Sequence, residues 1–140
     1  MPTAREIMTP GAQCVQASET ILDAARRLAE LSVGALPICG EDDKLHGMLT
    51  DRDIVVKVLA EGKDPRAVHA SEVAQGETIT ISADDDADKI MRTMAERQVR
   101  RLPVIDTNKR LVGIVSQADV ARVLPKEKVG ELVAAVSTDR

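Results

Sequence analysis

Two short strings place a hydroxyl and an acid where they could either cap a helix or hold a ligand: Thr50-Asp51-Arg52-Asp53 and Ser116-Gln117-Ala118-Asp119. Each follows an apolar run that starts on glycine, Gly47-Met48-Leu49 and Gly113-Ile114-Val115. A hydroxyl followed three residues later by an acid is a helix-capping device, in which each side chain satisfies the other residue's backbone N–H. Glutamate or glutamine is the usual acid-side residue. Aspartate is shorter, and its two oxygens can instead accept hydrogen bonds from a vicinal diol. The hydroxyl and the free N–H groups of a helix start suit a phosphate. Arg100 and Arg101 stand ahead of the second string, where the first copy has Gly34 and Ala35. A guanidinium binds phosphate in bidentate fashion, so an anion should prefer the second string. The plainer alternative is that both arginines stay in water or pair with surface acids. Arg52 and Lys57 are further cations, expected on solvent-facing sides of a helix.

Cys14 and Cys39 are the only cysteines, and their counterparts in the second copy are Thr80 and Ile105. The expectation for a reducing compartment is two small buried thiols. A disulfide requires the two Cα atoms to come within about 7 Å; closing about 25 residues would then stabilise by roughly 3 kcal/mol. The spacing does not match a zinc site, which needs four clustered ligands, and no metal is expected. His46 and His69 have no acid or cysteine at ligand spacing and read as structural. Asp84-Asp85-Asp86 is explained by the positive end of a helix rather than by a bound cation. No nucleophile, base and orienting group are arranged for catalysis, so an enzyme is not expected.

The two strings lie 66 positions apart because residues 33–59 recur without a gap. Val33-Gly34-Ala35-Leu36-Pro37-Ile38 returns as Val99-Arg100-Arg101-Leu102-Pro103-Val104, and Ile7-Met8 falls on Val73-Ala74. A repeat of this size is a structural unit occurring twice. The copies span 1–62 and 67–125, joined by a polar linker at 63–66 and followed by a tail at 126–140. Each copy reads strand, helix, strand, strand, helix. Ser18 and Asp84 are the expected caps of the first helices. Their apolar stripes are Ile21, Leu22, Ala25, Leu28 and Ala29, and Ala87, Ile90, Met91, Met94 and Ala95. Pro37 implies an edge or end position for its strand. The second helices run from Asp51 to about Glu61, closed by Gly62, and from Gln117 to Leu124, stopped by Pro125. The tail should add a helical turn or two, with its last residues frayed.

A chain of 140 residues is one domain, or two small ones that share a core. It contains no Phe, Tyr or Trp, so the core must be aliphatic, and a base could stack only on side chains such as Ile38, Val104, Pro37 and Pro103 or on the Ile7-Met8 segment. The net charge of −4 and the lack of aromatics argue against nucleic acid. No leader or membrane span is visible, and the expected location is the cytoplasm, with no membrane partner.

The Leu-Pro-Ile/Val strand together with the Gly-x-x-Thr/Ser-x-x-Asp turn, present twice at the same spacing, resembles a tandem pair of CBS domains over residues 5 to 124. That resemblance implies an α/β (α+β) fold of two β-α-β-β-α repeats related by a pseudo-twofold axis, with sheets packed together and helices outside. It implies two clefts between the repeats that often take AMP, ADP, ATP or S-adenosylmethionine, no required cofactor, and a homodimer acting on a separate effector protein. By the same resemblance Thr50 and Ser116 would contact phosphate, and Asp53 and Asp119 ribose. Arg100 or Arg101 would reach a phosphate at a cleft mouth, with Ile38, Val104 and Pro103 beside the base. The competing reading is a ligand-free stress or interaction protein that works through dimerisation, with Cys14 and Cys39 as a redox element.

Overall fold

Apolar residues at alternate positions make the strands, and the same positions are buried in both copies. Leu36, Ile38 and Leu49 in the first, and Leu102, Val104 and Val115 in the second, are at most 3% exposed. The structure is a computed structural model that describes residues 1–11, 13–74 and 78–137. The first copy runs β2 (Val15–Gln16), α2 (Ile21–Leu31), β3 (Ala35–Cys39), β4 (Leu45–Thr50) and α3 (Asp51–Ile54), which widens into a π-helical stretch, Val55–Leu59. The second runs β5 (Ile81–Ser82), α5 (Ala87–Arg97), β6 (Arg101–Ile105), β7 (Leu111–Ser116) and α6 (Gln117–Ala121). Three further helices, α1 (Ala4–Ile7), α4 (Ala70–Val73) and α7 (Lys126–Val136), and one strand, β1 (Thr9–Pro10), complete the order.

Two compact units result: Gln13–Thr78, and Met1–Ala12 together with Ile79–Arg140. In the first unit the sheet order is β2-β3-β4; in the second it is β1-β7-β6-β5. These units are a different partition from the sequence copies at 1–62 and 67–125, because the opening residues pack with the second copy. Ala4 donates to the Asp85 carbonyl at 2.8 Å and Arg5 to the Ala83 carbonyl at 3.0 Å. The counterpart bonds, Ala70 to Glu19 at 2.8 Å and Ser71 to Ala17 at 3.1 Å, are made within the other unit. Each short leading helix therefore docks on the strand-to-helix turn of the opposite copy.

Some details depart from expectation. The caps of the long helices are Thr20 and Asp86, two residues beyond Ser18 and Asp84. The intervening residues are used by a turn after the strand, closed by Glu19 N–H to Gln16 O at 2.9 Å and by Asp85 N–H to Ser82 O at 3.0 Å. Ala24 is fully buried, while Ala29 of the expected stripe is exposed. Pro37 lies on the middle strand of its sheet rather than on an edge strand. Its ring is tolerated because β2 flanks only Ile38 and Cys39, leaving the proline nitrogen where no ladder bond is needed.

The tail is the larger correction. It forms an 11-residue helix, not one or two turns, with Leu132 and Val136 buried. Pro125 sits at its N-cap, where φ of −57° is already suitable and a missing N–H costs nothing. Val129, Leu132 and Val136 recur at helical spacing and join the core of the second unit, and Lys128 pairs with Asp88 at 2.8 Å. Residues 138–140, where fraying was expected, lie outside the described residues. Leu132→Ala should cost about 2–4 kcal/mol, read as a lower midpoint in denaturant; a change under about 0.5 kcal/mol, the size of an ordinary surface substitution, would mean α7 is not part of the core.

Cys14 and Cys39 form a disulfide with Cα atoms 5.6 Å apart, so the expectation of two free thiols is replaced. The pairing of Gln16 with Cys39 in the parallel β2–β3 register brings the two segments side by side. Arg27 holds the approach by donating to the Cys14 carbonyl and pairing with Glu19 at 3.2 Å.

Candidate functional site

The two strand-to-helix junctions are built from the same bonds. Thr50 Oγ1 accepts from Asp53 N–H at 3.0 Å, and Asp53 Oδ2 accepts from Thr50 N–H at 3.0 Å. In the other unit Ser116 Oγ accepts from Asp119 N–H at 3.2 Å, and Asp119 Oδ2 accepts from Ser116 N–H at 2.8 Å. Both are complete capping boxes, which is why each helix starts sharply at the end of its strand. The second oxygen of each acid meets a cation: Asp53 Oδ1 lies 3.4 Å from Lys57, and Asp119 Oδ1 lies 2.9 Å from Arg122. A diol reaching either acid shares Oδ1 with that cation or displaces it, while Oδ2 is also engaged by the backbone. Each hydroxyl uses its oxygen as acceptor and keeps its own proton available to donate.

The acids differ in exposure. The Asp119 side chain is 10% exposed and that of Asp53 25%. The strand beside each junction differs more. Arg101 stands directly opposite Ser116 in the β6–β7 register, at the place where Ala35 faces Thr50. Cross-strand partners put their side chains on one face, with Cβ atoms about 5 Å apart. Among the described residues neither Arg100 nor Arg101 makes an ion pair, and both are exposed. The Arg100 carbonyl accepts from Gln117 N–H at 2.8 Å, matching Gly34 with Asp51 at 3.0 Å.

Ile38 and Val104 are fully buried in the cores of their own units, and Pro37 and Pro103 are buried with them. Ile7 and Met8 pack partly buried on the core of the second unit. Arg52 is exposed, as expected, and Lys57 is half-exposed and paired. Arg122 was not singled out from sequence; its i+3 spacing from Asp119 was the available signal.

Elsewhere in the first unit, Lys57, Glu61, Lys63, Val68, Glu72 and Val73 line a cavity of about 350 Å³. Lys57 and Lys63 are both engaged there, the latter with Glu61 at 2.9 Å. On the same segment the backbone N–H of Arg66, then its guanidinium, holds the Asp64 carboxyl below its usual range. The backbone N–H of His69 does the same for Glu72. His46 is exposed and lies over Gly40. Among the described residues no group of three or more His, Cys, Asp or Glu side chains could hold a metal ion, and the disulfide leaves no thiolate to bind one. No helix among them is long and apolar enough to cross a membrane.

Two β-α-β-β-α copies, each ending its last strand in a hydroxyl-and-acid cap, define a duplicated domain of one kind. The chain belongs to the CBS domain family, which matches residues 4–60 and 70–126. It is 49% identical to hypoxic response protein 1 of Mycobacterium tuberculosis over 136 residues, 97% of this chain and 94% of that protein. A crystal structure of Hypoxic Response Protein I with two coordinated zinc ions superposes with a TM-score of 0.82 and 52% identity, covering 89% of this chain and all of that one. The cytosolic domain of the Mg2+ channel MgtE in complex with ATP superposes with a TM-score of 0.76 and 30% identity, over 87% of this chain and 48% of that one.

Proposed function

We propose that the chain is a stand-alone, non-catalytic regulatory CBS pair that binds an adenosine nucleotide (AMP, ADP or ATP) or S-adenosylmethionine at its strand-to-helix junctions. It works in the cytoplasm as a homodimer and reports to a separate effector protein. The observation that carries this reading is the unpaired Arg101 guanidinium directly opposite the Ser116 hydroxyl. Two phosphate-type donors are thus carried on facing ladder positions next to Asp119, whose pairing to Arg122 is exchangeable at the surface, where the arginine is 73% exposed. Thr50 and Asp53 repeat the hydroxyl and acid without the arginine. The ATP complex of the MgtE cytosolic domain supports the ligand class. Val55, Val56 and Leu59, each about half-exposed on the π-helical stretch, offer an apolar face for a second copy.

Calorimetry with AMP, ADP, ATP and S-adenosylmethionine tests it, and suits a chain with no aromatic residue to report binding by fluorescence. Micromolar binding is expected, lost in Asp119→Asn, whose amide oxygen still accepts the Ser116 N–H. Arg101→Ala should weaken ATP and AMP roughly tenfold, as expected for loss of a charge-assisted pair, and adenosine far less. Equal losses for all three would remove the phosphate role.

A second reading is favoured by the closed state of both caps and by the disulfide: a stress or interaction protein that binds no nucleotide. Both carboxylate oxygens of Asp53 and of Asp119 already have a partner. No heat with any of the four ligands, in reduced and oxidised protein alike, selects this reading. The zinc ions belong to the related structure; the described residues of a single chain here do not form a fitting ligand set.

A further inference from the structure

The junctions share their capping bonds but differ in charge at four matched positions. Gly34, Ala35, Asp51 and Arg52 in the first correspond to Arg100, Arg101, Gln117 and Ala118 in the second, so the second junction gains two arginines ahead of its strand and loses both the acid and the adjacent arginine at its helix start. Asp51 is also placed to matter. A side-chain carbon at Gly34 would stand 3.4 Å from Asp51 Oδ2, so the carboxylate lies against the backbone in the region that a residue 34 side chain would enter. Its other oxygen accepts from Arg52 N–H at 2.8 Å, and among the described residues no cation pairs with it. Arg52 is the next residue and is turned about 100° around the helix. Lys57 is engaged with Asp53.

Resting on the nucleotide reading above, we infer that Asp51 sets ligand charge at the Thr50 junction: that site takes an uncharged or cationic adenosyl compound and rejects phosphate. The Ser116 junction takes the phosphorylated form. A phosphate brought to Thr50 meets an unneutralised carboxylate on the next residue, and Ala35 supplies no cation to offset it. At Ser116 the corresponding neighbour is the neutral Gln117, with Arg101 across the ladder. The pair is thereby an unequal sensor, one junction reading the adenosyl group and the other its phosphates.

Reciprocal substitutions on the full chain test this, with adenosine, AMP, ATP and S-adenosylmethionine as the calorimetric probes. In Asp51→Asn, ATP and AMP affinity at the weaker site should rise about three- to tenfold, the size expected of one partly screened charge. Adenosine should change less than about twofold by the same argument, and S-adenosylmethionine should weaken. In Gln117→Asp, which adds an acid where a helix start tolerates one, ATP should weaken about three- to tenfold at the tighter site. If wild-type protein binds ATP but neither substitution moves the ratio of ATP to adenosine affinity, the charge assignment is overturned while the nucleotide reading stands. If wild-type protein binds none of the four, both fall together.

Discussion

Gly113→Ala should be among the most damaging single substitutions in this chain, lowering stability by about 2–3 kcal/mol. A carbon added there would lie 2.7 Å from the Thr9 carbonyl oxygen and about as close to the Met8 sulfur. The carbonyl belongs to β1, whose residue Pro10 pairs with Gly113 itself, so the clash cannot be relieved by turning a side chain. Strand β1 must move away from β7. Gly47→Ala meets the matching obstacle, Ala74 Cβ at 2.8 Å, and should behave alike. Gly130 is the internal control: nothing lies within 4 Å of a carbon added there, it is inside α7, and Gly130→Ala should stabilise by about 0.5–1 kcal/mol. Denaturant unfolding followed by far-ultraviolet circular dichroism measures all three. A Gly113→Ala midpoint equal to the parent's would show that β1 is not held against β7.

Reduction of the disulfide should cost roughly 3 to 3.5 kcal/mol, and the loss should fall on one unit only. The bond closes a separation of 25 residues, for which the chain-entropy estimate gives that range. Both cysteines lie in the unit formed by Gln13–Thr78. Hydrogen exchange in the presence of a phosphine reductant should therefore show amide protection falling in β2, β3 and β4, with β6, β7 and α7 unchanged. The second copy has Thr80 and Ile105 at the matching positions and holds its β5–β6 pairing without a covalent tie. Uniform loss of protection across both units would mean that they unfold as one cooperative body. Cys14→Ala with Cys39→Ala should reproduce the reduced behaviour without reductant, separating loss of the bond from any other effect of the reagent.

The repeat carried most of the fold. Two strings with the same apolar spacing led to the same strands and helices, because local propensity and burial period agree in both copies. The capping boxes at Thr50 and Ser116 were legible for the same reason: a cap is a contact between residues three apart, and sequence displays such contacts directly. Sequence placed the long-helix caps two residues early because Ser18 and Asp84 are as good at capping as Thr20 and Asp86. The turn closing on Gln16 and Ser82 decided between them. The tail's third turn was hidden because α7 is stabilised by the core against which it packs, not by its own propensity.

By itself the sequence determined the unit that occurs twice, the strand and helix order within it, the capping boxes at Thr50 and Ser116 and the unequal charge of the two junctions, all properties of residues close along the chain. Only the tertiary structure decided the rest. Leading helices α1 and α4 have the same bonds available on either copy, so nothing local says that each docks on the other's. The disulfide depends on a parallel register between strands far apart in sequence. Arg101 became the partner of Ser116, ahead of Arg100, through the antiparallel β6–β7 register. These three are long-range pairings, and loop closure and packing choose among alternatives that local chemistry leaves equal.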